Sequence, residues 1–160
     1  MNRSKTRNFM FGVATLLTTS FIFTQPALAQ QMCRWNIKFA KYEVLGTGGE
    51  RKAEAIVRVS VRDSTVRVPE VGFKRVAKGD VVQVQESIRR ITVRGRREGQ
   101  IVIHTREKDF GPDEGKTVSH PVALSCRRGR PAGRDRTVSY DVINRGHLAV
   151  RVTVAFERGT

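Results

Sequence analysis

Few side chains in this sequence have the types and spacing that catalysis or metal binding requires. The three histidines, His104, His120 and His147, lie far apart, and none is paired at metal-ligand spacing. Ser125 and Ser139 lack the context of a nucleophile elbow. No glycine-rich phosphate loop leads into a helical segment. We therefore expect no enzyme, no catalytic residue, no cofactor and no metal.

The cysteines Cys33 and Cys126 suit a disulfide better than a catalytic thiol. An even number of cysteines is typical of disulfide bonding in an exported chain. The bond would close a loop of roughly 90 residues and stabilise the fold by about 4 kcal/mol in the chain-entropy model. Neither cysteine has a second ligand at close spacing, as a metal site would need. We predict a disulfide between them, with two buried, unbonded thiols as the alternative.

Arginine dominates the charge of this sequence. The whole chain has a net charge of +15, and residues 30–160 contain 20 arginines and 7 lysines against 15 acidic residues, a net charge of +12. Guanidinium groups bind carboxylates and phosphates through a planar fork of donors. This balance favours an anionic partner, either nucleic acid, anionic lipid or an acidic cell-wall polymer. The alternative is that the charge reflects composition and only keeps the protein soluble.

Carboxylates cluster at Asp109, Asp113 and Glu114. Calcium binds through several oxygen ligands, so these three residues are the candidate ligands if a metal site exists. The same stretch, Pro112 to Gly115, is also a favourable turn sequence. We favour the turn.

Alternating hydrophobicity predicts that the candidate residues named above lie on β-strands or in the turns between them. Turn-forming residues separate the strands, and no long window has helical spacing. Pro69 and Gly72 predict that the third strand is an edge or bulged strand. Eight strands in about 130 residues indicate an all-β domain, an antiparallel β-sandwich, with a barrel as the alternative. The eight segments are 35–45, 54–62, 65–76, 81–94, 100–107, 117–125, 137–143 and 148–157.

The strand count also predicts where the charged residues meet. Successive strands of an aligned sandwich run up or down, so successive connections alternate between its two ends. The connections at 46–53, 77–80, 108–116 and 144–147 form one end, the acidic pole. The connections at 63–64, 95–99 and 126–136 form the other end, the arginine pole. It holds Cys33 and Cys126, which must approach within about 7 Å to bond. It also collects eight arginines, the predicted anion-binding set: Arg94, Arg96, Arg97, Arg127, Arg128, Arg130, Arg134 and Arg136.

Residues Ile101 to Lys116 follow the order strand, acidic loop, strand. This order resembles the calcium- and lipid-binding β-sandwich family named after the second conserved region of protein kinase C. The similarity extends over residues 35–125 in pattern, without a diagnostic motif. Calcium sites of that family usually need an Asp-x-Asp pair with further aspartates, and here the sequence departs from the family. Glu107 and Asp109 have that spacing, but Glu107 falls within the predicted strand 100–107. The resemblance implies a sandwich more than it implies calcium.

Residues 1–29 have the composition of a cleavable secretory signal. Basic residues precede an apolar stretch at 9–23, and Ala27-Leu28-Ala29 matches the small-x-small cleavage signature. The apolar stretch is shorter than the roughly 20 residues that span a bilayer. We expect cleavage before Gln30, a secreted or periplasmic location, and no transmembrane segment after processing.

Residues 30–160 therefore predict a single-domain, non-enzymatic binding module. Its arginine pole would face a cell-envelope polymer, a lipid head group or an acidic protein. A structural or inhibitor-like envelope protein is one alternative, and a calcium-dependent module using the acidic loop is another. Trp35, Tyr42 and Tyr140 lie in or beside strands and leave no platform for base stacking. We expect no sequence-specific recognition of nucleic acid.

Overall fold

The computed structural model describes residues 32–108 and 114–159, which contain strands and connecting turns and no helix. No helix of this part of the chain is therefore long and apolar enough to cross a membrane. The predicted signal, residues 1–29, and the loop residues Asp109 and Asp113 lie outside the described residues. The strands are β1 (Met32–Thr47), β2 (Ala53–Val61), β3 (Ser64–Val68), β4 (Lys74–Val76), β5 (Val81–Arg94), β6 (Arg96–Glu107), β7 (Glu114–Arg127), β8 (Arg130–Pro131), β9 (Arg136–Val142) and β10 (Leu148–Arg158).

These strands form two antiparallel sheets. The four-stranded sheet has the order β5-β1-β10-β9. The six-stranded sheet has the order β3-β2-β6-β7-β8, and β4 pairs with the other end of β2. The predicted all-β antiparallel sandwich is confirmed.

The core lies between the sheets and follows the alternation of the sequence. Ile37 and Phe39 of β1 and Ile101 and Ile103 of β6 are fully buried. Removing such side chains from water is the main stabilising contribution to a sandwich. The alternation in β1 shifts by one position at Ala40, where a β-bulge interrupts the pairing with both neighbouring strands.

The eight predicted segments match observed strands, with two differences. The third segment is divided into β3 and β4, because Pro69 and Gly72 fall between them and proline cannot donate a ladder hydrogen bond. Both pieces pair with β2. The two-residue strand β8 was not predicted, since it is too short to show alternation.

A corner at Gly95 determines the shape of one end of the sandwich. Consecutive strands β5 and β6 are joined by Gly95 alone, yet they belong to different sheets. Its φ of 64° lies in the left-handed region, which glycine adopts readily. β2 stops at Val61, opposite Ile101, so the first residues of β6 pair with β7 and extend beyond β2. This extension carries Arg96 and Arg97.

Candidate functional site

The structure brings all eight arginines of the arginine pole to one end of the sandwich, as strand parity predicts. Arg94 lies opposite Met32, and Arg96 lies opposite Ser125. The backbone N–H of Cys126 donates to the Gly95 carbonyl at 2.6 Å, which holds the two arginine-bearing connections together. Arg136 lies opposite Phe156 near the end of β10. Residues that are distant in sequence thus share one surface.

Two of the eight arginines contact other groups in the part of the chain that the structure describes. Arg96 forms an ion pair with Glu98 at 3.0 Å. Arg136 donates to the Ala123 carbonyl at 3.2 Å, and its guanidinium lies 5.2 Å from the centroid of the Phe156 ring. The ion pair with Glu98 neutralises the charge of Arg96, whereas the Ala123 carbonyl and the Phe156 ring leave the charge of Arg136 in place and fix its position.

The other six arginines are exposed and have no carboxylate at ion-pair distance within residues 32–108 and 114–159. Guanidinium groups gathered in this way repel one another, and only water and salt screen the repulsion. A phosphate or carboxylate would replace the repulsion with charge-assisted hydrogen bonds. The six are Arg94, Arg97, Arg127, Arg128, Arg130 and Arg134.

The tight turn between β7 and β8 presents three of these six arginines; we call residues 127–130 the arginine hairpin. Arg127 and Arg130 are a cross-strand pair. Arg128 and Gly129 form the turn, with φ values of 51° and 73°. Two left-handed residues define the turn that matches strand twist, and an asparagine is favoured at the first of them. An open concave surface adjoins the hairpin, lined also by Pro131, Ala132 and Gly133.

The Ser125 carbonyl anchors the base of the arginine hairpin. It accepts a hydrogen bond from Trp35 Nε1 at 3.2 Å and one from the Ala132 N–H at 2.9 Å. The Cys33 thiol lies 3.9 Å from the same oxygen and adds a weak contact. Trp35 is buried, as expected of a core residue. The hairpin is therefore held against β1, which preorganises its arginines.

The structure places Cys33 and Cys126 near each other but does not join them by a disulfide. Burial, and then the neighbouring Cys126 thiol, raise the pKa of the Cys33 thiol to about 12. Neutral thiols are poor nucleophiles, so Cys33 has low reactivity in this arrangement. The disulfide stays a prediction, and the proximity of the two side chains is compatible with it.

Sequence reasoning overlooked three carboxylates at the arginine pole. Glu98 pairs with Arg96, and the period of two that places both on one strand face could have revealed it. Asp63 pairs with Arg89, and Asp135 pairs with Arg158 at 3.1 Å. These last two pairs join residues far apart in sequence, so no local pattern could have predicted them. The pole is therefore less uniformly basic than predicted.

Two described carboxylates at the acidic end of the sandwich, Glu107 and Asp80, accept hydrogen bonds from the protein itself. Glu107 is 3% exposed, and its Oε2 accepts the Leu148 N–H at 2.8 Å. Asp80 accepts the Ala77 N–H at 2.8 Å and closes its own turn. Within the described ranges, no three ligating side chains come together as a metal site would need. Of the fallback calcium ligands, Asp109 and Asp113 lie outside these ranges, and Glu114 is described by its backbone alone.

No protein-family model matches the chain, and no curated protein sequence matches it. Two structures of human GIVD cytosolic phospholipase A2 with methyl gamma-linolenyl fluorophosphonate, one of them also with terbium chloride, each align with 81% of this chain. Their identities are 6% and 7%, and their TM-scores are 0.42 and 0.43. A structure of CC2D1B aligns with 78% of the chain at 9% identity and a TM-score of 0.38.

The chain spans 17% of the length of each phospholipase chain and 54% of the CC2D1B chain. At these scores the likeness is loose and concerns the path of the chain alone. The resemblance to the calcium- and lipid-binding sandwich family is a weak one, and it identifies no specific protein.

Proposed function

We propose that this protein is a secreted or periplasmic, non-enzymatic binding module that contacts an anionic partner through its arginine pole. The partner class is a cell-envelope polymer, a lipid head group or an acidic protein. The observation that carries the proposal is the set of six exposed arginines without a carboxylate partner among the described residues. The signal pattern of residues 1–29 supports the location.

Binding at this pole works by exchange of counterions. A polyanion carries a condensed layer of small cations, and each guanidinium that contacts a phosphate releases part of that layer into the solvent. The gain in binding free energy is largest where several guanidinium groups already lie close together and their supporting backbone is fixed. The arginine hairpin meets both conditions, since the Ser125 carbonyl holds its base against Trp35 and Ala132.

Salt-dependent binding to a polyanion tests the proposal. Double-stranded DNA is a suitable non-specific probe, since the logarithm of its affinity falls with the logarithm of salt by about 0.9 for each phosphate contact. We expect R127Q/R128Q to make this dependence on salt less steep, by the equivalent of nearly two phosphate contacts, and to leave the melting temperature unchanged or raised.

A matched control is R151Q/R158Q, which removes the same net charge. Arg151 is paired with Asp141, and Arg158 is paired with Asp135. The control should change the slope less than R127Q/R128Q does. Equal losses in both variants would mean that the charge acts diffusely and that the arginine pole is not a site. Failure of the unmodified protein to bind at low salt would favour a structural protein whose charge serves solubility.

A further inference from the structure

The outer face of the six-stranded sheet carries basic side chains that the proposed function does not use. Arg58 lies between two fully buried valines of β2, so it faces outward. The strand register places it opposite Arg67 of β3 on one side and opposite His104 of β6 on the other. Arg106 follows two residues after His104 and shares its face. Three adjacent strands thus gather four basic side chains.

Arg67 is fixed in position by the loop that follows β3. Its guanidinium donates to the carbonyls of Pro69 at 2.8 Å and Gly72 at 2.7 Å, and also to that of Glu70. Carbonyl oxygens hold the fork in place without neutralising it. Arg67 therefore presents a full positive charge beside Arg58.

Arg58 has no comparable partner. Its Nε is buried and has no hydrogen-bond acceptor, and no carboxylate of the described part of the chain forms an ion pair with it. Like charges opposite each other on neighbouring strands destabilise a sheet, and a buried donor without an acceptor destabilises it further. An oxyanion between Arg58 and its neighbours would relieve the repulsion between their charges.

His104 forms the third side of the cluster. Its Nδ1 lies 2.9 Å from the Thr117 hydroxyl, and its ring packs against Gly115, where a Cβ would come within 3.1 Å of the imidazole. Burial, followed by the charges of Arg58 and Arg106, lowers the pKa of His104. On β7, Lys116 lies opposite the inward-facing Thr105 rather than opposite His104.

The outer face of the four-stranded sheet shows how an equivalent arginine is satisfied. Arg151 of β10 lies opposite Asp141 of β9 and donates to both of its carboxylate oxygens, at 2.7 and 3.0 Å. The two outer faces therefore differ in one respect: Arg151 has an internal carboxylate and Arg58 has none among the described residues.

We propose that Arg58, Arg67 and His104 form a second anion site, which binds a single phosphate group on the outer face of the six-stranded sheet. Basic groups from three strands suit an oxyanion: Arg58 can donate charge-assisted hydrogen bonds to it, and Arg67, whose fork stays on the loop carbonyls, adds positive charge. The site does not depend on the arginine pole. The phosphate could be inorganic or belong to a lipid head group, and the experiment distinguishes these sources.

The test follows the imidazole signals of His104 by NMR in the full processed chain while inorganic phosphate replaces chloride at constant ionic strength. A bound phosphate stabilises the imidazolium form, so it should raise the pKa of His104. Arg58→Gln should weaken phosphate binding by about tenfold or more, because it removes a charged donor. Arg151→Gln should leave the response unchanged. R127Q/R128Q should also leave it unchanged, which separates this site from the arginine pole.

Arg58→Lys provides a second variant in case the glutamine variant folds poorly. It keeps the charge but loses the fork, so it should bind phosphate with intermediate strength at an unchanged melting temperature. In the other arm, phosphatidylcholine vesicles with and without phosphatidic acid replace inorganic phosphate. A response to those vesicles alone would assign the phosphate to a lipid. The proposal is overturned if His104 responds to neither probe, or if folded Arg58→Gln binds phosphate as well as the unmodified protein.

Discussion

At the acidic pole, Glu107 and Asp80 accept hydrogen bonds from backbone N–H groups of the same chain. At the arginine pole, Arg127, Arg128 and Arg130 are exposed and have no carboxylate partner among the described residues. Both ends are rich in charge, but Glu107 and Asp80 use their charge to hold loops in place. The comparison shows that a charged cluster is a candidate binding surface only where the fold leaves it without internal partners.

The same criterion separates arginines within the arginine pole. Arg158 lies at this end and pairs with Asp135, which also accepts the Arg158 N–H. This hydrogen bond from the backbone, together with the ion pair to Arg158, lowers the pKa of Asp135. Exposed pairs of this kind contribute little to stability. They nevertheless reduce the charge that a ligand meets, so net charge alone overstates the binding capacity of the surface.

The largest expected effect concerns the covalent link at the arginine pole. Oxidation with glutathione disulfide should join Cys33 to Cys126 and raise the free energy of unfolding by roughly 4 kcal/mol, because the bond restricts a long loop of the unfolded chain. Guanidinium unfolding with and without reductant measures the change, and non-reducing mass spectrometry identifies the link.

Cys126→Ser is the control for this experiment, since it removes the partner thiol and should abolish the effect of the oxidant. Alkylation of both cysteines in the native, exported protein would contradict the disulfide. Oxidised protein that binds DNA less strongly would show that the arginine hairpin needs freedom to move, contrary to the preorganised surface inferred above.

The next largest effect concerns the acidic pole. Glu107→Leu should lower the free energy of unfolding by about 2 kcal/mol, because it leaves the buried Leu148 N–H without its acceptor. Glu107→Gln keeps an acceptor oxygen, so its free energy of unfolding should fall much less. Urea unfolding measures both variants. If the structural role of this pole is correct, neither variant changes the slope of DNA binding against salt. Equal stability of the leucine variant and the unmodified protein would disprove that role.

The smallest effect concerns the turn of the arginine hairpin. Arg128 has a left-handed backbone, which is unfavourable for most L-residues and is tolerated better by asparagine. Arg128→Asn should therefore raise the free energy of unfolding by about 0.5 kcal/mol, since Asn-Gly suits this turn. It should also remove nearly one phosphate contact from DNA binding. A variant that is more stable and binds equally well would show that Arg128 does not contact the polymer.

Much of the architecture could be predicted from local patterns. The alternation of Val57 and Val59 with Arg58 places β2 and its two faces, and Pro69 with Gly72 correctly predicts an irregular third strand. Strand parity places the eight arginines at one end. Glu107 has the spacing of an Asp-x-Asp calcium pair with Asp109, but it lies at the end of β6 and faces the core, which the strand pattern alone does not show.

Local residue patterns are enough to predict the strands, the turns between them and the end at which each connection lies, because these depend on residues close together in the chain. Which arginines keep their charge depends on the tertiary structure. Arg151 meets Asp141 and Arg58 meets His104 because particular strands pair in a particular register. A register shift of one residue moves every side chain to the opposite face. The partners of a charge therefore depend on contacts between distant strands, which a local pattern does not contain.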